Sequence, residues 1–231
     1  NGNQVWMRFW YHTAHGPNSI RREIVVPRWD SIADNYTAPV RSGIDSLIRN
    51  GAPKGSGQFM LWNGSPGTGK TFAIRSLMSE WRHSWEGEYI TDPDVLFGNR
   101  ADYLVQVLLN EPENKQRLII LEDTGELIAA DAKQQTGQGL SRFLNTVDGM
   151  LGQGLNIMLL LTTNEDIVSL HPAVMRPGRC AQRLTFGPLE HDDIKAWSQK
   201  HGTDLKSMPS KATLAELYSG KDSYSTRRMG F

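Results

Sequence analysis

The feature that most constrains this chain is a loop motif at residues 64–71, which read GSPGTGKT. The run matches G-x-x-x-x-G-K-[ST] in full, between an apolar strand pattern (residues 59–62) and a helical pattern (residues 71–81). Glycines let backbone N–H groups wrap around phosphates, and a helix N-terminus adds partial positive charge. A flexible glycine-rich turn is the alternative, and the strand–loop–helix context favours binding of ATP or GTP. The predicted nucleotide-binding residues are Gly64, Ser65, Pro66, Gly67, Thr68, Gly69, Lys70, Thr71 and Phe72.

Two carboxylates, Glu122 and Asp123, directly follow the most apolar strand pattern, residues 118–121. A phosphate site needs one acid to hold Mg²⁺, usually through water, and a second acid to orient the attacking water. Lys70 would reach the β- and γ-phosphates, and Thr71 and Glu122 are the candidate metal ligands. A solvated acidic loop is the alternative interpretation.

Strand and helix patterns alternate after residue 58, with further strands predicted at 87–91, 157–162 and 184–186. This alternation predicts a three-layer α/β domain, in which helices cover both faces of a parallel sheet. After Pro188 the chain turns polar and helical, which indicates a small helical lid. We therefore expect a hairpin or linker at 1–27, a large nucleotide-binding subdomain at 28–187 and a lid at 188–231. The abrupt termini predict a fragment with a truncated lid.

The N-terminal segment predicts a β-hairpin with strands at residues 5–11 and 20–26 and turn residues at 13–19. Its aromatic residues fit packing within the hairpin, or alternatively a partner surface. They are Trp6, Phe9, Trp10 and Tyr11.

Composition and charge limit the classes of function that this chain can have. The chain has 25 Lys+Arg against 25 Asp+Glu, so its net charge favours neither nucleic acid nor an anionic membrane. One cysteine, Cys180, excludes an internal disulfide framework and suits a reducing compartment. No apolar run approaches the ~20 residues that a membrane-spanning helix needs, so we predict a cytoplasmic location.

Five motifs in order resemble the AAA+ ATPases. They are residues 64–71, the acidic strand end, LNTVDG at 144–149, TTN at 162–164 and LHPAVMRPGR at 170–179. The last motif is similar to the L-x-P-A-x-x-R-P-G-R signature of the AAA clade. The resemblance covers roughly residues 29–186 and implies an ATPase that binds ATP with Mg²⁺.

The resemblance also implies roles for individual residues. Asn164 matches the sensor-1 residue, which contacts the γ-phosphate or the attacking water. Arg176 and Arg179 match arginine fingers, which stabilise charge on the ATP of a neighbouring subunit; surface ion pairs are the alternative. Residues 148–150 correspond to an intersubunit signalling segment. No sensor-2 residue can be named.

The acidic pair departs from the usual Asp-Glu order. By position Glu122 takes the metal role and Asp123 the water-polarising role, and the shorter Asp123 side chain predicts slower turnover. The same order occurs in AAA translocases that resemble the mitochondrial respiratory-chain assembly factor, so it does not mark an inactive enzyme.

Residues 94–100 occupy the position of a pore loop in ring-shaped AAA unfoldases. Leu96, Phe97 and Gly98 match its aromatic-glycine pair, which would grip polypeptide in a central pore. The alternative is that Phe97 packs beneath the following helix and Gly98 is a turn residue.

These observations predict ATP hydrolysis at the subunit interfaces of a homo-oligomeric ring, a hexamer by resemblance, coupled to remodelling or threading of a protein. One rival is an ATP-dependent switch or assembly scaffold with slow turnover. The other is a DNA-acting ATPase, against which the neutral charge argues.

Overall fold

The structure is a computed structural model that describes residues 4–53, 58–98, 101–110, 115–128, 134–148, 154–166, 174, 176–202 and 209–219. The strands are β1 (Gln4–Thr13), β2 (Gly16–Val25), β3 (Phe59–Asn63), β4 (Trp85–Ile90), β5 (Gln116–Leu121), β6 (Ile157–Thr163), β7 (Cys180–Thr185), β8 (Leu189–Glu190) and β9 (Lys211–Ala212). The helices are α1 (Trp29–Ile32), α2 (Ala38–Asn50), α3 (Lys70–Trp81), α4 (Pro93–Phe97), α5 (Ala101–Leu109), α6 (Gly125–Ile128), α7 (Gln134–Asp148), α8 (His191–His201) and α9 (214–219).

Seven strands form one sheet in the order β2-β1-β4-β5-β6-β3-β7. All neighbours are parallel except β1 and β2. Strands β3, β5 and β6 are almost continuously apolar because helices cover both of their faces. The three-layer α/β prediction is therefore confirmed.

Side chains alternate across the sheet and divide the core into two layers. Met60 and Trp62 pack with α1, α2 and α3 on one face. Phe59 and Leu61 pack with α4, α5 and α7 on the other. A third, smaller cluster around Trp197 lies beneath the helices that follow β7. Among the described residues, no helix is long and apolar enough to cross a membrane.

The N-terminal hairpin is an integral part of the central sheet. Its strand β1 pairs in parallel with β4, in the register Met7–Gly87 to Trp10–Ile90. Trp10 is buried, as the packing interpretation expects, whereas Trp6 is 54% exposed beneath the Arg21 guanidinium.

A buried ion pair between β4 and β5 also contacts the hairpin. Arg117 of β5 donates to both carboxylate oxygens of Glu88 in β4, at 2.7 and 2.8 Å. The Trp10 indole donates to the same carboxylate at 2.7 Å, and Arg117 also caps the carbonyl of Leu108 at the end of α5 at 2.9 Å. Because both charges are desolvated, each depends on the other.

Removal of one member of this ion pair should therefore lower the stability of the fold. Arg117→Leu is expected to lower the free energy of unfolding by about 3–5 kcal/mol, since the Glu88 charge stays buried. The double variant Glu88→Leu/Arg117→Leu should recover part of that loss, because it removes the buried charge but leaves the Trp10 indole N–H and the Leu108 carbonyl without these partners. Urea unfolding measures both, with Arg28→Leu as the control, because the exposed Arg28–Asp30 pair contributes under about 1 kcal/mol. Equal losses for Arg117→Leu and Arg28→Leu would contradict the prediction.

Candidate nucleotide-binding site

A cavity of about 740 Å³ lies at the carboxyl ends of β3, β5 and β6. Parallel strands end at the same edge of a sheet, so the loops that follow these three strands converge there. The lining residues come from the phosphate loop and α3, from strand β4, from the ends of β5 and β6, and from α9. They are Pro66, Gly67, Gly69, Lys70, Thr71, Phe72, Arg75, Tyr89, Glu122, Asp123, Thr162, Asn164, Leu214, Ala215 and Tyr218.

The phosphate loop has a backbone that requires glycine. Gly64 (φ 147°) and Gly67 (φ 79°) lie in regions that L-residues with side chains rarely adopt. A Cβ at Gly64 would overlap the Phe186 carbonyl, and one at Gly67 would lie 2.9 Å from the Ala215 Cβ. The Thr68 hydroxyl donates to the Ser65 carbonyl at 2.8 Å and closes the loop. The loop therefore forms the open backbone cradle that phosphates fit.

Lys70 extends across this loop. Its ammonium donates to the Gly64 carbonyl at 2.5 Å, to the Ser65 carbonyl at 3.2 Å and to the Asn164 side-chain oxygen at 2.9 Å. Burial lowers the pKa of Lys70, and the charges of Asp123 and Glu122 oppose that change. A partly desolvated cation at the mouth of a glycine loop is well placed to receive an anionic phosphate.

Thr71 and Glu122 provide oxygen ligands of the kind that Mg²⁺ prefers. The Thr71 hydroxyl donates to Glu122 at 2.5 Å, which leaves its oxygen lone pairs available to a metal ion. Burial raises the pKa of Glu122, while hydrogen bonds from Thr71 and Tyr89 and the Lys70 charge favour its ionised form. These two residues fit Mg²⁺, and the ion, when bound, would neutralise phosphate charge.

Asp123 and Asn164 lie together at the same edge of the sheet. The Asn164 amide donates to the Asp123 carboxylate at 2.8 Å while its oxygen accepts from Lys70. Asp123 has φ 55°, a left-handed conformation that Asp tolerates better than most residues and that concentrates at functional sites. The structure thus brings together the side chains that the sequence predicted for the phosphate and the attacking water.

Sequence reasoning missed several residues around this cavity, among them Arg75, Tyr89 and Tyr36. Arg75 lies one helical turn after Thr71, so its i+4 spacing was a usable signal. Burial raises the pKa of Tyr89 to about 12, and the nearby Glu122 charge acts in the same direction. The Tyr36 hydroxyl donates to the Gly69 carbonyl at 3.1 Å, a contact that spans 33 residues and has no local signal.

The segment after β7 covers one side of the cavity. The Ala215 N–H donates to the Gly67 carbonyl at 2.9 Å, and Trp197 donates to Asn35 at 2.8 Å. Leu214, Ala215 and Tyr218 of α9 line the cavity, as a lid would. Residues 220–231, where a sensor-2 residue would be sought, lie outside the described residues.

The two predicted arginine fingers lie at the opposite end of the sheet. They precede Cys180, which pairs with Phe59 at the start of β3, about 13 Å along the strand from the phosphate loop. Arg176 is exposed, whereas Arg179 is 8% exposed and donates to Asn145 of α7 at 2.6 Å. Neither lines the cavity of its own chain. Residues 149–150, 170–173 and 175 of the resemblance motifs lie outside the described residues.

The pore-loop interpretation of Leu96, Phe97 and Gly98 is contradicted by their positions. Phe97 is 1% exposed and packs edge-on against Phe143 with ring centroids 5.4 Å apart. Leu96 is also buried, and the Gly98 N–H donates to the Val95 carbonyl at the end of α4. Gly139 of α7 admits the Phe97 backbone, which a Cβ there would overlap. Phe97 belongs to the core, as the alternative interpretation held.

The glycine geometry yields a direct test of the cradle. Gly67→Ala should weaken ATP affinity about tenfold or more, because the new Cβ presses on Ala215 and displaces the loop. Gly51→Ala is the matched control, since Gly51 has φ 75° but no neighbour within 4 Å. Both variants should lose about 1 kcal/mol of stability in urea unfolding. Equal ATP affinities by calorimetry would show that the loop does not hold the nucleotide.

Comparison with known proteins agrees with this geometry. The family model described as "ATPase family associated with various cellular activities (AAA)" matches residues 60–188, and the "Domain of unknown function (DUF5925)" matches residues 1–49. A chain in the structure of the E. coli MS115-1 HORMA:CdnC:Trip13 complex has a similar fold, with a TM-score of 0.59 and 17% identity over 87% of this chain and 76% of that one.

The chain is also similar to several curated proteins. Protein SAV of Sulfolobus acidocaldarius is 28% identical over 79% of this chain and 23% of its own length. The ATP-dependent zinc metalloprotease FtsH of Hahella chejuensis is 31% identical over 58% and 22%, and the peroxisomal ATPase PEX6 of Kluyveromyces lactis is 25% identical over 85% and 21%. The chain thus spans about a quarter or less of these proteins. Because the AAA match covers more than half of the chain, the protein belongs to the AAA family of ATPases.

Proposed function

We propose that this ATPase domain hydrolyses Mg²⁺-ATP at interfaces between copies of itself in a ring, a hexamer by resemblance. The observation that carries the proposal is the division of the candidate residues between two places. Lys70, Thr71, Asp123 and Asn164 line one cavity, while Arg176 is exposed beyond the opposite end of β3. A head-to-tail contact between copies joins two such different surfaces, and repetition closes a ring.

In this proposal, the phosphate loop and Lys70 bind the β- and γ-phosphates. Asp123 orients the attacking water and accepts its proton, and Asn164 holds Asp123 and the γ-phosphate in one geometry. Arg176 of the neighbouring copy stabilises the charge that develops on the phosphoryl oxygens. Arg179, which is mostly buried against Asn145, shapes the loop that presents Arg176.

The proposed output of hydrolysis is the remodelling of a protein substrate in the cytoplasm. The support is the likeness to FtsH, an ATP-dependent metalloprotease, which couples ATP to an enzyme that acts on polypeptide. The overall neutral charge gives no support to a nucleic-acid substrate. Since Phe97 is buried, we assign no residue to substrate gripping.

Mixing two inactive variants tests the shared site. Asp123→Asn and Arg176→Ala should each reduce turnover at least about 100-fold while ATP still binds. Mixed in equal amounts, they should recover up to about a quarter of wild-type turnover, because a random ring pairs an intact Asp123 with an intact Arg176 at one interface in four. Steady-state phosphate release measures this, and light scattering in ATP gives the mass.

Arg28→Ala is the control for loss of an exposed arginine and should leave turnover unchanged. A monomer whose turnover is insensitive to protein concentration and to Arg176→Ala would contradict the shared site. Tight ATP binding and ATP-dependent assembly with negligible wild-type turnover would instead favour the switch or scaffold.

A further inference from the structure

A buried hydrogen bond anchors the small apolar cluster that lies beneath the helices after β7. This Trp197 cluster consists of Leu189, Ile194, Trp197, Ala212 and Leu217. The Trp197 indole donates to the side-chain oxygen of Asn35 at 2.8 Å, across 162 residues of sequence. Trp197 is fully buried and Asn35 is 4% exposed. The phosphate loop, the acidic pair and the sensor do not account for this buried polar side chain.

Both ends of the Asn35 amide are used. An indole N–H can only donate, so the amide oxygen must face Trp197. The amide nitrogen then points to the Tyr218 hydroxyl, 3.5 Å away. The Tyr218 ring packs edge-on against Trp197, with ring centroids 5.3 Å apart. Asn35 therefore contacts two helices after β7, since Trp197 belongs to α8 and Tyr218 to α9.

Tyr36, the next residue along the chain, makes the corresponding contact with the phosphate loop. Its hydroxyl donates to the Gly69 carbonyl at 3.1 Å, and its ring stacks on Trp29 with centroids 5.4 Å apart. Burial raises the pKa of Tyr36 above its ordinary value, so the hydroxyl keeps the proton that it donates. Two adjacent side chains thus hold the Trp197 cluster and the phosphate loop.

Helix α9 is the part of the cavity wall that this arrangement positions. Leu214, Ala215 and Tyr218 line the nucleotide cavity. A Cβ at Gly69 would lie 2.9 Å from the Leu214 side chain, so α9 and the phosphate loop are in close contact there. A helix as short as α9 is not stable by itself. Its position over the cavity therefore follows that of the Trp197 cluster.

We propose that Asn35 is a positioning residue, which holds the Trp197 cluster so that α9 stays over the nucleotide cavity. A wall that is already held in its bound position lowers the cost of ordering it when a nucleotide binds. The inference rests on nucleotide binding in this cavity, which is one part of the proposed function. It depends neither on hydrolysis nor on assembly between copies.

The test uses ADP, because ADP binds without turnover. For wild type, Asn35→Leu, Trp197→Phe and the double variant, the dissociation constant of ADP in excess Mg²⁺ is measured by calorimetry. Asn35→Leu should weaken ADP affinity about tenfold, since the buried indole N–H loses its acceptor. Trp197→Phe removes the donor of the same bond and should also weaken binding. The double variant should bind no more weakly than the weaker single variant, because both changes remove one bond.

Gln182→Leu is the matched control. The Gln182 side-chain oxygen also accepts from a buried indole, that of Trp62 at 3.3 Å, but Gln182 lies in β7 and does not line the cavity. This variant should lose stability in urea unfolding and keep its ADP affinity within about twofold of wild type.

The outcomes separate this inference from the proposed function. A wild-type protein that does not bind ADP overturns the nucleotide site and this inference with it, whereas normal ADP binding without turnover or assembly overturns only the proposed catalysis. Normal wild-type binding that is unchanged in Asn35→Leu overturns the role of Asn35 alone. Additive losses in the double variant, or an equal loss in Gln182→Leu, show general packing and also overturn it. If Asn35→Leu does not fold, unchanged affinity in Trp197→Phe overturns the inference.

Discussion

The pairing of three parallel strands, β5, β6 and β3, is the constraint on which the rest of the structure depends. Each strand is buried on both faces, and each ends at the same edge of the sheet. The acidic pair follows β5, Asn164 follows β6 and the phosphate loop follows β3. Because β6 lies between the other two, Asn164 reaches both Lys70 and Asp123, at 2.9 and 2.8 Å. Strand order thus brings side chains from three separate segments of the chain into one hydrogen-bonded network.

The hairpin adds further contacts at the edge of the sheet next to β4. Strand β1 supplies Phe9 behind Tyr89 on one face and Trp10 against Glu88 on the other. The buried Glu88–Arg117 pair favours this register, because any slip by one residue would turn the Glu88 carboxylate away from its donors and into the apolar layer. The family model that matches residues 1–49 covers this hairpin together with α2. The N-terminal hairpin thus belongs to the same sheet as the strands that carry the site.

The sequence predicted those parts of the molecule whose cause is local. The glycine loop, the apolar strands and the helix after the loop follow from periodicity and turn chemistry, and the structure places them within a few residues of the predicted bounds. The burial of Phe97 could not be predicted, because an aromatic-glycine pair is found both in exposed loops and at the end of a short helix. The deciding contact is Gly139, 42 residues later, whose missing side chain admits the Phe97 backbone. Tyr89 was missed for a similar reason, because its partners come from β1 and β5, and only the pairing of strands brings them together.

The position of the arginine loop sets the condition under which such a site can work. Charge on a transferred phosphoryl group is stabilised over a few ångströms. Arg176 instead precedes β7, whose first residue lies about 13 Å along the strand direction from the phosphate loop. Within one chain, Arg179 holds the end of this loop against α7 through its hydrogen bond to Asn145. Under the proposed function, a second copy would bring its exposed Arg176 to the cavity of the first copy without any change within either chain. Under the proposed function, the separation of the two sets of residues within a chain makes catalysis depend on assembly.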